Sequence, residues 1–175
     1  MSELNSKLQT VKSKENFLEK IVRFIPGYDG YVNRDNSREL DTLLRNTLAT
    51  KLDSNHTRLK NTILNLSKSG KLFESGGIDK LDKKLQQCVA KFKAAAKGYS
   101  GAFDVVKVKE DKLNQLYEFD ANLLDNVESI SAACTEMENS SKSGGDLSTA
   151  SDKVSALLDE LVKLFDEREN ILNAV

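Results

Sequence analysis

The chain has 175 residues, 39% hydrophobic and 30% charged, with a formal net charge of −1, a single proline and no tryptophan. That length holds one domain with a real core over residues 1–175 and is too short for two comfortable ones. The apolar-poor, charge-rich balance is that of long amphipathic helices burying one stripe each, and apolar residues recurring at helical spacing exclude a disordered chain.

The first helix is expected over about residues 3–25, where Leu4, Leu8, Val11, Glu15, Leu18, Val22 and Ile25 alternate spacings of four and three. Pro26-Gly27 ends it, because proline disfavours helix in the residue before it and glycine permits the cap. A second helix is expected from about Asn36 to Leu66. Asn36 and Glu39 have the spacing of a capping box, and Leu40, Leu44, Leu48, Leu52, Leu59, Ile63 and Leu66 form a stripe interrupted at Asn55. A Ser/Gly stretch, Ser67 to Gly77, breaks the pattern.

The third helix is expected over Ile78 to Lys97, with Ile78, Leu81, Leu85, Cys88, Val89, Phe92 and Ala96 on one side. A fourth covers about Glu110 to Glu138 and buries Leu113, Leu116, Tyr117, Leu123, Val127, Ile130, Cys134 and Met137. After a second Ser/Gly break, Ser140 to Gly145, a fifth runs from Ser148 to Asn173 on Val154, Leu157, Leu158, Leu161, Phe165 and Leu172.

The expected fold is therefore all-α: an up-down antiparallel bundle of about five helices, open to coiled-coil-like extension. Up-down order puts the first and third links at one pole and the second and fourth at the other. The first pole is rich in glycine and aromatics, Gly27 to Tyr31 and Gly98 to Phe103. The second carries Ser-Lys-Ser-Gly twice, at 67–70 and 141–144, which raises the alternatives of a duplicated hairpin and of chance similarity between loops.

Charge is divided along the chain. Residues 1–97 carry 19 Lys+Arg against 11 Asp+Glu, and residues 98–175 carry 7 against 16. Either oppositely charged helices pack together, or a basic face meets an anionic partner.

The residues that chemistry would need are scarce. A di-iron carboxylate bundle requires inward Glu residues and two Glu-x-x-His pairs, but His56 is the only histidine, with Asp53 alone at the matching spacing. One imidazole also leaves Ser or Cys nucleophiles without a base, and neither a nucleophile elbow nor a phosphate loop occurs. No metal, cofactor or small-molecule substrate is expected. The acidic stripe Asp111, Glu118, Asp125 and Glu128 reads as solvated or lysine-paired, with a divalent-cation site as the alternative. Lys80, Lys83, Lys84, Lys91, Lys93 and Lys97 flank both sides of the third helix's apolar face, without arginine or an aromatic platform, which argues against nucleic acid. Cys88 and Cys134 are isolated and read as reduced, buried thiols, with a disulfide as the alternative.

No apolar run approaches the ~18 residues of a membrane span, and a signal-peptide pattern is lacking, so a cytoplasmic location is expected. The most apolar stretch, Phe17 to Ile25, is expected to pack in the core; the alternative is a lipid-facing anchor flanked by Lys12, Lys14, Lys20 and Arg23.

Two segments carry a resemblance: Ile25-Pro26-Gly27-Tyr28-Asp29-Gly30-Tyr31 with Ser37 to Arg45, and Gly98 to Val108 with Leu116-Tyr117-Glu118-Phe119-Asp120 and Leu123-Leu124. Both are similar to segments in a group of uncharacterised prokaryotic helical proteins. The resemblance implies a helical bundle with these links as its hallmark and brings no activity with it. The expected function is a non-enzymatic scaffold or protein–protein interaction module, binding a protein partner or itself, with Tyr28, Tyr31, Tyr99 and Phe103 as candidate anchors. A peripheral membrane or envelope-stress role is the alternative.

Overall fold

Apolar side chains three and four residues apart wind the chain into helices. The computed structural model describes residues 16–28, 30, 34–94 and 110–173, and among these the structure is helical, with no strand. Helix α1 covers residues 16–24, α2 Arg34–Lys68, α3 Ser75–Ala94, α4 Glu110–Lys142 and α5 Ser148–Asn173; a short 3₁₀ turn, Leu72–Glu74, joins α2 to α3. The all-α bundle expected from the periodicity is the fold of the chain.

Three local departures have physical causes. Helix α3 begins at Ser75, ahead of the expected Ile78, because Gly76 and Gly77 fall in its first turn, where backbone N–H groups have no intrahelical partner to lose. Helix α4 runs to Lys142, past the expected Glu138, because Ser141 is buried and its hydroxyl accepts a bond from Asn65 Nδ2 at 2.9 Å. In α1 the inward face passes through Ile21, Ile25 and, beyond the helix, Tyr28, while Val22 is 43% exposed. Leu18-Ile21-Ile25 and Leu18-Val22-Ile25 are equally good helical stripes, so only packing could choose between them.

Inter-helix contacts establish the arrangement. Between α2 and α3, His56 Nδ1 lies 2.6 Å from Asp82 Oδ1 and Gln86 Nε2 donates to Asp53 Oδ1 at 3.3 Å, so the two helices are antiparallel. Helices α4 and α5 are antiparallel too, since Lys153 approaches Glu136 and Arg168 approaches Asp120. Between α2 and α4, however, the numbers rise together. Lys51 meets Glu128, Asn55 meets Ser131, Asn61 meets Glu138 and Asn65 meets Ser141. The same holds for α3 and α5, where Lys84 pairs with Asp159 and Lys91 with Asp166. The order around the bundle is thus α2, α3, α5, α4, and the consecutive helices α3 and α4 lie across its diagonal.

The up-down alternation holds along the chain, yet two of the four neighbouring pairs are parallel. The second hairpin lies beside the first with like helices together. The hairpin turns also close alike. Gly70 (φ +74°) and Gly144 (φ +70°) occupy the left-handed position of the turn, and Ser69 Oγ donates to Leu66 O at 3.1 Å as Ser143 Oγ does to Ser140 O at 3.0 Å. Lys71 Nζ donates to Gly144 O at 2.7 Å, which places both turns at one pole.

Helix α1 covers the α2–α4 seam. Lys20 pairs with Asp125 of α4, and the Lys51 ammonium of α2 lies 5.0 Å from the centre of the Phe24 ring. The core is leucine-rich throughout, with Phe92 of α3 and Phe165 of α5 meeting edge to face at 4.6 Å. Each fully buried leucine or phenylalanine contributes about 1.5–3 kcal/mol. The exposed and half-exposed ion pairs between helices are worth ~0–1 kcal/mol each and mainly select register.

Candidate functional site

The inward stripes of α4 and α5 each contain a polar residue at an apolar position, and these meet buried polar residues bordering the stripe of α2, at the pole where α1 ends. On α5, Val154, Leu158, Leu161 and Phe165 lead to Arg168 and then Leu172, with spacings alternating between four and three. On α4, Asp120 occupies the same kind of position between Leu116 and Leu123; on α2, Asp41 and Arg45 flank Leu44.

Arg168 is fully buried (0% exposed), as is Asp120, with Asp41 at 1% and Arg45 at 3%. The Arg168 guanidinium bridges two helices, Nε donating to Asp120 Oδ1 at 2.5 Å and Nη1 lying 2.7 Å from Asp41 Oδ1. Asp41 Oδ2 in turn holds Arg45 Nη2 at 2.6 Å, and Tyr28, from the link after α1, donates its hydroxyl to Asp120 Oδ2 at 3.4 Å. Two guanidinium groups thus balance two carboxylates, and four segments of chain are tied together. Arginine's planar fork presents separate nitrogens to Asp120 on α4 and Asp41 on α2 at once.

Glu169 sits beside this cluster, with Oε1 3.5 Å from Arg168 Nη1. Burial, with the Asp41 carboxylate adding to it, raises its pKa to about 7; Arg45 and Lys91 oppose the shift and do not cancel it. Within the cluster the opposite charges compensate one another.

The glycine-tyrosine link approaches the same place. Gly30 has φ +89°, and a Cβ there would sit 2.8 Å from the Tyr117 hydroxyl oxygen, so both the backbone angle and the close approach require glycine. Of the four candidate anchors, Tyr28 is 2% exposed with its side chain turned inward, while Tyr31, Tyr99 and Phe103 lie outside the described residues. Asp41, Arg45, Asp120 and Arg168 are not among the residues expected to form a site. Asp120 and Arg168 fill gaps in otherwise regular apolar stripes, whereas Asp41 and Arg45 lie beside the unbroken row Leu40, Leu44, Leu48 and carry no such signal.

Other features resolve into packing. Asp125 and Glu128 of the acidic stripe pair with Lys20 and Lys51, and Glu118 is exposed. Lys84 and Lys91 of α3 pair with α5, so the oppositely charged halves meet inside the molecule. Among the described residues, no three His, Cys, Asp or Glu side chains converge as metal ligands. Cys88 and Cys134 are free and buried, and burial pushes the Cys134 thiol up to about 12. Asn55, the interruption in the α2 stripe, is fully buried and donates through Nδ2 to Ser131 Oγ at 3.1 Å across the α2–α4 seam.

The opposite pole has a different character. Phe73 is 83% exposed and Leu72 56%, on the 3₁₀ turn that the Lys71–Gly144 bond ties to the α4–α5 turn. Beside them a groove of about 340 Å³ opens between the start of α3 and the start of α5, lined by Glu74, Gly77, Ile78, Leu147 and Ser151. Among the described residues no helix is long and apolar enough to cross a membrane. In comparison with known proteins, the chain matches no family model, no curated protein and no solved structure.

Proposed function

We propose that the protein is a non-enzymatic helical scaffold that acts by binding protein, including copies of itself, in the cytoplasm. The observation that carries this reading is the exposed pair Leu72 and Phe73. Two large apolar side chains presented together on a pinned turn are poor solvent-facing residues and good interface anchors. The charged groups at the other pole support it indirectly, because they are used up in holding helices together. Free, buried thiols fit a reducing compartment. The similarity to uncharacterised prokaryotic helical proteins belongs to this proposal as well, and supplies an architecture without a reaction.

The anchoring surface proposed here is the Leu72–Phe73 pole, since Tyr28 faces inward. A lipid-facing role is the alternative, motivated by the apolar end of the first helix and the basic N-terminal half; the packing of Ile21 and Ile25 in the core supports the protein-binding reading over it. Affinity capture from the source cell with the wild-type chain and a Leu72→Ser/Phe73→Ser variant tests the reading. Specific protein partners, or tagged copies of the chain, are expected with the wild type and lost with the variant. Identical capture profiles from two equally folded baits would refute it.

A further inference from the structure

Asp82 departs from the pattern that the rest of α3 keeps. It stands in the row Ile78, Asp82, Leu85, Val89, Phe92, whose spacings alternate between four and three, and it is buried at 6% exposure with those apolar residues. A carboxylate in such a position costs stability unless it is paired. What it holds, among the described residues, is one group: the imidazole of His56 on α2, whose Nδ1 lies 2.6 Å from Asp82 Oδ1. A contact needed only for adhesion would be made as well by two apolar side chains, without that cost.

The pairing fixes the ring. A carboxylate oxygen only accepts, so Nδ1 carries the proton and Nε2 keeps the lone pair. The His56 side chain is 39% exposed, and among the described residues Nε2 has no hydrogen-bond partner. A buried acid thus orients a half-exposed nitrogen nucleophile, as carboxylates orient reactive imidazoles elsewhere. No set of three His, Cys, Asp or Glu side chains converges among the described residues, which argues against a metal ion as the object of this nitrogen. The charges nearby suit a small anionic group. Lys60 follows one turn along α2, exposed, at the seam where its charge also acts on Asp79 of α3. The two neighbouring acids are engaged, Asp79 by Lys83 at 2.8 Å and Asp53 by Gln86 at 3.3 Å.

We propose that His56 is a phosphoryl-acceptor site, taking its group on Nε2 from an activated donor of the acyl phosphate or phosphoramidate class, with Asp82 as its positioning residue. The Nε2 lone pair forms the N–P bond while the bond from phosphorus to the donor's carboxylate or amine breaks, and that leaving group departs with the electron pair. The positive charge left on the ring is held at Nδ1–H by Asp82, and Lys60 offsets the charge of the phosphoryl oxygens. This site is independent of the interaction reading above: it lies on the α2–α3 seam and does not involve Leu72 or Phe73.

Incubation of the full chain with potassium phosphoramidate at neutral pH, followed by intact mass spectrometry and phosphorus NMR, tests this. The folded wild type is expected to gain one acid-labile phosphoryl group, on Nε2 alone, at least about tenfold faster than the same chain unfolded in urea. Asp82→Asn keeps the shape of the side chain and removes its charge. It is expected to lose most of that advantage and to give a mixture of Nδ1 and Nε2 adducts, while its circular dichroism stays that of the wild type. A folded wild-type chain that reacts no faster than the unfolded one would overturn the inference, and this comparison needs no variant. An Asp82→Asn protein with the wild-type rate and the same preference for Nε2 would overturn it too, leaving the pair as a clip between α2 and α3.

Discussion

Replacing Arg168 by Met keeps much of the side chain's apolar length and removes its charge from the centre of the buried cluster. Asp41 and Asp120, at 1% and 0% exposure, would lose the guanidinium held 2.7 and 2.5 Å away and would confront each other across a site without water access. Removing one member of a buried ion cluster costs about 3–5 kcal/mol, because the remaining charges keep their desolvation penalty without compensation. A chain of this size has a stability of about 5–15 kcal/mol and loses about 2–4 °C in Tm per kcal/mol, so Arg168→Met should melt about 6–20 °C below the wild type. Urea and thermal denaturation followed by circular dichroism measure both quantities. The quadruple variant Asp41→Leu, Arg45→Leu, Asp120→Leu, Arg168→Met should regain most of the loss, since an apolar replacement of a whole buried cluster is commonly neutral or stabilising. An Arg168→Met protein within about 1 kcal/mol of the wild type would refute the assignment of this cluster as the lock on helix pairing.

Three further outcomes follow from the geometry. Glu169 has its pKa raised to about 7 from 4.5, so the folded state binds its proton more tightly than the unfolded chain does. Stability from this group is therefore complete below the unfolded value and is lost as pH rises to about 7, by about 3 kcal/mol. Glu169→Gln should flatten that part of the wild-type profile in urea titrations across this range, and a variant with the same slope would contradict the assignment. Gly30→Ala forces a side chain into a left-handed backbone angle and against the Tyr117 hydroxyl; a loss of about 1–3 kcal/mol by denaturant unfolding is expected, and none would show that the link relaxes freely. Cys88 and Cys134 should react with a thiol reagent at neutral pH only at the rate of opening, because both are buried and their pKa values are raised; fast stoichiometric labelling of the native protein would count against this core.

Helix class, the positions of the stripes and the pairing of basic with acidic helices were legible in the amino-acid order, because each depends on periodicity or composition within a single segment. The buried cluster was only half legible. Arg168 and Asp120 stand exactly where the alternation of four and three calls for an apolar residue, yet a gap in one stripe does not reveal which gap in another stripe it will face. The register of α1 was ambiguous for the same local reason, since Ile21 and Val22 serve equally well until a neighbour is present. Up-down order determined which links share a pole, but it left open whether the second hairpin turns its like or its unlike helices toward the first. Side-by-side packing of like helices, with α3 and α4 across the diagonal, was decided only in three dimensions. There Arg168 must reach Asp41 and Asp120 at once, and Asn55, Asn61 and Asn65 must each find a polar partner on α4. These are contacts between residues about 50 to 130 positions apart, which no single stripe encodes.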